Sequence, residues 1–135
     1  MSDGISELRS RHAALQGRAA AVFRALDARD GERIAKDLQL FLADVAAHLR
    51  RDVAVGYRLL RHHPSESVRR IAERLMLEQS YFAPAFDEFA ARWRDADAER
   101  LTSTGFRDEL ETLVSNLLKR IRVEDRLMAM ISNVA

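Results

Sequence analysis

Apolar residues recur at alternating spacings of three and four through four long stretches of the chain. That rhythm fits one face of an α-helix and not the two-residue alternation of a strand. The first stretch carries Ile5, Leu8, His12, Leu15, Ala19, Val22 and Leu26 before "RDG" stops it. The second carries Ile34, Leu38, Phe41, Val45, His48, Asp52, Val55 and Leu59. It ends at "RHHPSES", because the residue before Pro64 resists the helical region. The third opens at Ser65, a good N-cap, and runs through Val68, Ala72, Leu75, Gln79, Phe82, Phe86, Phe89 and Trp93, with Pro84 expected to kink it. "RDADAERLTST" reads as a polar loop in which Thr102, Ser103 and Thr104 are all cap candidates. The fourth stretch then carries Phe106, Leu110, Leu113, Leu117, Arg120, Glu124, Leu127 and Ile131. Four amphipathic helices on short links predict an all-α fold, an antiparallel up-down-up-down four-helix bundle. It forms a single domain over 1–135, with helices near 4–28, 32–62, 66–93 and 104–132.

Composition removes whole classes of chemistry. The chain contains no cysteine, which excludes disulfides, thiolate metal sites and cysteine nucleophiles and leaves only oxygen and nitrogen donors for any metal. Lys and Arg number 22 against 21 Asp and Glu, with both signs scattered, so nucleic acid is not the expected partner. The opening "MSDGISELRSRH" lacks the apolar core of a signal peptide, and no stretch reaches the apolar length of a membrane span. A cytoplasmic protein without a membrane partner is the expectation.

The informative residues are the polar ones inside the apolar stripes: His12, His48, Asp52, Gln79, Arg120 and Glu124. Fourteen residues separate His12 from Leu26, and fourteen separate Ile34 from His48. In antiparallel helices both histidines then lie about 21 Å from the same end. Similar spacing puts Gln79 and Arg120 at that depth, so every helix contributes a polar group to one level. A lone histidine in a stripe is most often a satisfied core residue. Six polar groups at one level must instead satisfy one another or a ligand, because a buried charge costs several kcal/mol unless it is paired.

Taken in order, "ELRSRHAAL", "FLADVAAHLRRD", "RLMLEQSYFAPAFDEF" and "LLKRIRVEDRLMAMI" resemble the four segments of the hemerythrin-like, or HHE cation-binding, family. The resemblance implies a four-helix bundle that holds a di-iron centre with histidines from its helices and two carboxylates. It places His12 at the first-helix ligand position, His48 and Asp52 at the second-helix pair, and Glu124 at the fourth-helix carboxylate. Two positions depart from the family pattern. Gln79 stands where a third-helix histidine belongs, and Arg120 where a fourth-helix histidine belongs. Arginine is worse than a missing ligand, since it stays protonated and has donors only.

Three functional readings follow. In the first, the di-iron site is degenerate: Arg120 pairs with Asp52 and Glu124 in place of metal, His12, His48 and Gln79 complete the hydrogen bonding, no cofactor is held, and the chain is a binding or regulatory module. In the second, His12, His48, Asp52 and Glu124 hold a single Fe, Zn or Mn ion, with O2 or NO binding or iron sensing as the outcome. The third takes Asp52 and Glu124 as paired catalytic carboxylates. A neighbouring arginine would lower both pKa values instead of separating them, so no enzyme is expected. His62 and His63 read as helix C-terminal residues. Leu77 and Tyr81, off the main stripe, are candidates for a homodimer or protein-partner surface. The phenylalanines and Trp93 read as core.

Overall fold

The scarcity of helix breakers lets the stretches run long. The computed structural model describes residues 2–52 and 60–134, with side chains from 8–50 and 60–131. Its helices are α1 (Ser2–Asp27), α2 (Gly31–Asp52), α3 (Glu66–Trp93), α4 (Ala98–Leu101) and α5 (Thr104–Val134). No strand occurs among the described residues. The expected continuation of the second helix beyond Asp52, with Val55 and Leu59, lies outside them. None of the described helices is long and apolar enough to cross a membrane.

The turns show how local sequence sets the ends. After α1 the left-handed position falls on Arg29 (φ 54°) and not on the glycine of "RDG". Asp30 then caps the next helix, its Oδ1 accepting from the Arg33 amide at 3.2 Å. Gly31 has a different duty. A Cβ there would overlap Ala98 Cβ and lie 3.1 Å from Ala98 Cα, so the missing side chain lets α4 seat against the start of α2. Ser65 caps α3 as its residue type predicts, its Oγ accepting from the Val68 amide. The helix continues through Pro84 to Trp93. Of the three cap candidates before α5, Ser103 accepts from the Phe106 amide at 3.3 Å.

The expected polar loop contains a helix, α4, capped by Asp97 and burying Leu101. The short stretch "AERL" is too brief to show a period, which is why its single apolar anchor went unread. Helix α1 packs on α2, α3 on α5, and α1 also meets α5, while α4 fits against α2 and α5. Polar ties span the same contacts, from Arg18 to Asp44 at 3.0 Å and from Arg107 to Asp27 at 3.1 Å.

Most of the buried apolar residues among the described ones fall into two groups. The larger contains Leu15 to Leu26 of α1, Ile34 to Leu49 of α2, Phe82 to Trp93 of α3, Leu101, and Phe106 to Ile121 of α5. Here Trp93 meets Phe106 edge to face at 5.1 Å, and Phe89 stacks on Phe106 at 6.0 Å. The smaller holds Val68, Leu75 and Leu127, with Met76, Met128 and Met130 packed around it. In α3 and α5 the boundary between them falls at Gln79 and at Arg120 and Glu124.

The two turn positions should respond in opposite directions. Gly31→Ala is expected to destabilise by about 1–3 kcal/mol through overpacking against Ala98. Arg29→Gly is expected to stabilise by up to about 1 kcal/mol by relieving the left-handed position. Urea unfolding midpoints of the two variants check both.

Candidate functional site

The stripe spacing carries one polar side chain from α1, one from α2, one from α3 and two from α5 into the gap between the two apolar groups. His12, His48, Arg120 and Glu124 are all buried, Glu124 completely at 0% and His48 at 2% exposure. Gln79 is only half-buried. Asp52 is the last described residue of α2, and its side chain lies outside the described ones, so its expected pairing with Arg120 does too.

Glu124 is the hub. Its Oε1 lies 3.0 Å from His48 Nε2, 3.4 Å from His12 Nε2 and 3.9 Å from Arg120 Nε. The first distance is a hydrogen bond. The last is a charge contact too long for one. The two imidazoles meet edge to face with centroids 5.3 Å apart. His12 is held from its other side as well, Nδ1 lying 2.7 Å from Asp125 Oδ1.

Arg120 is fixed by other partners. Its Nη1 donates to Gln79 Oε1, and its guanidinium carbon stands 5.9 Å from the centre of the Phe82 ring. Its Nε and Nη2 have no hydrogen-bond partner among the described residues. The expected role of Arg120 is therefore divided: Glu124 is near it, but Gln79 makes its hydrogen bond.

Burial lowers the His12 pKa more than any other single influence. Hydrogen bonding of its ring nitrogens to the Glu124 and Asp125 carboxylates, and then their charges, act the other way and together leave it raised above its ordinary value of 6.5. When His12 is protonated, it and Arg120 face Glu124 and Asp125, two positive charges against two negative, so the described part of the layer can balance its charge without a further ion.

The same atoms can be read as donors. His12, His48 and Glu124 each offer one ligand atom, and these lie within 4.8 Å of one another. Asp125 at His12 Nδ1 is placed as the carboxylate partners of metal-bound histidines usually are, fixing the tautomer with Nε2 turned inward.

Two contributors were not visible in the sequence reading. Asp125 sits off the apolar stripe, and its only signal was adjacency to Glu124. Phe82 was read as plain core, although it sits one turn of α3 after Gln79 and so had to lie near Arg120. His62 and His63 take no part among the described contacts of the layer: His63 Nδ1 accepts from the Ser65 amide at 3.0 Å, in the turn before α3.

Comparison of the chain with protein-family models, with curated proteins and with solved structures gives no match.

Because the folded His12 pKa is raised, its protonation contributes stability that is fully present below about pH 6.5. That contribution is lost as pH rises through the folded value. Asp125→Asn should therefore lower Tm most in mildly acidic solution, below about pH 6.5, where the imidazole is charged. The difference from the parent should shrink in alkaline solution. Asp125 is 47% exposed in its side chain, so screening holds the effect to about 1 kcal/mol or less. Thermal melts of both proteins across pH, in chelator, check it.

Proposed function

We propose that this chain is a non-enzymatic binding module built on a hemerythrin-like, up-down-up-down four-helix bundle, in which an arginine-centred network replaces the di-iron centre. The observation that carries this reading is the position of Arg120. A permanently charged guanidinium is buried at 3% exposure, with its Nε 3.9 Å from the oxygen that both histidines approach. A second cation bound to that oxygen would face this charge at short range in a dry site, where repulsion is strong. The donor set agrees. A di-iron centre does not fit, because Gln79 spends its amide oxygen on Arg120, and the described residues supply three convergent donors where two metal ions need many more.

A second reading has one observation in its favour, the convergence of His12, His48 and Glu124. Two histidines and a carboxylate suit a single Fe(II), Zn or Mn ion, and such an ion would supply a Lewis acid or a site for O2 or NO. In that case His12 would be neutral, oriented by Asp125, and Arg120 would lie beside whatever anion the metal carried. A cytoplasmic location and a protein partner or second copy at Leu77 and Tyr81, which are 60% and 72% exposed, complete the proposal.

Elemental analysis of protein purified from iron-replete cells separates the two. The network reading expects no stoichiometric metal. It also expects the double variant Gln79→His, Arg120→His to take up iron, since two donors are restored and one buried positive charge removed. Stoichiometric Fe, Zn or Mn in the parent protein, lost on His48→Ala, would establish the second reading instead.

A further inference from the structure

The buried layer borders a groove. The groove, of about 730 Å³, runs between α3 and α5, and Arg120 forms part of its wall. That volume is in the range of small-molecule sites. Phe82, Phe89, Leu113 and Val123 give the groove an apolar lining, with Tyr81 also on its wall.

Most charges along the groove are already matched. Arg74 pairs with Glu78 at 3.0 Å, and Arg92 pairs with Glu109 across the two helices and with Glu88 at 3.8 Å. Two cationic side chains remain at one end: exposed Lys119, and buried Arg120 beside it in sequence. Asp108 lies toward the other end, about 18 Å away along α5. The groove is thus apolar along its length and positive at the end where it meets the layer.

Arg120 also has capacity in hand. Gln79 uses Nη1, and the Phe82 ring supports the guanidinium. Nε and Nη2, which form one edge of the group, have no hydrogen-bond partner among the described residues. Two parallel N–H donors on a single edge match the two oxygens of a carboxylate. Leaving such donors buried and unused is costly. Glu124, at 3.9 Å from Nε and shared with two histidines, does not meet that need.

We propose that the α3–α5 groove binds an amphipathic monocarboxylate, such as a medium-chain fatty acid, with its carboxylate on the Nε/Nη2 edge of Arg120 and its apolar body along Phe82, Phe89 and Leu113. This rests on the network reading, since it uses Arg120 as a fixed, inward cation. The ligand would complete the hydrogen bonding of the layer and add one negative charge to it. Lys119 at the mouth would favour entry of the anion.

Decanoate, decanol and decylamine, titrated calorimetrically into the full chain with metal content measured on the same sample, provide the test. Decanoate is expected to bind at one site, at least about tenfold more tightly than decanol, and decylamine not at all. Arg120→Gln should remove the preference for decanoate over decanol. Because that change touches the buried layer, Ala85→Trp supplies a second arm. Ala85 lines the groove from an exposed position away from the layer, so its bulky replacement should abolish decanoate binding while circular dichroism and Tm stay unchanged. No decanoate binding, equal binding of decanol, or full binding by Ala85→Trp would each overturn the proposal. If decanoate fails to bind to metal-free protein, only the groove assignment falls. If the parent carries stoichiometric metal, the network reading falls, whatever the titration shows.

Discussion

One carboxylate oxygen, Oε1 of Glu124, organises the interior of this protein. Three groups that can carry positive charge approach it from three helices, and the residue is fully buried. A buried carboxylate in that position is tolerable only when those groups are present. Each of them in turn is tolerable only because the carboxylate is there. The mutual dependence explains why charged residues persist in stripes that are otherwise leucine, phenylalanine and valine. It also sets the relation between the helices. Sliding α5 by one turn against α1 and α2 would leave Glu124 among apolar side chains and the histidines without an acceptor.

The partners of the layer are themselves held by neighbours. Asp125 grips His12 from the solvent side, Gln79 and Phe82 grip Arg120, and the caps at Asp30, Ser65 and Ser103 fix where helices carrying these groups begin. At the far end of the molecule, Gly31 and Ala98 approach without a side chain between them, which lets the short α4 close over the large apolar group through Leu101. The geometry of the layer is thus a product of ordinary helix physics: period, caps and one close contact.

Periodicity made the helices readable because each of the four long stripes carries six or seven apolar residues. The caps at Ser65 and Ser103 were readable because few residue types satisfy an exposed helix amide. Helix α4 was not, since four residues cannot display a period. "RDG" was readable as the stop after α1, but not which of its three residues takes the left-handed conformation, which falls on Arg29. In the layer, the groups lying in the stripes announced themselves by being polar where apolar residues belong. Asp125 could not, being a partly exposed acid on a charged face like many others. The hydrogen bond between Gln79 and Arg120 was visible only as a shared depth, since depth gives neighbours but not which donor finds which acceptor.

The division of the apolar interior by the polar layer gives the molecule two mechanically different ends. On one side lie Phe41, Phe86, Phe89, Trp93 and Phe106, with Phe106 packed against both Phe89 and Trp93, flat and stiff rings with few ways to rearrange. On the other, three fully buried aliphatic residues are surrounded by partly buried side chains that include Met76, Met128 and Met130, which are flexible and easily repacked. The ionic layer is the seam between a rigid block and a pliable one. Side-chain adaptability is thus concentrated on the methionine side of the histidines and Arg120, and fixed ring shapes on the other.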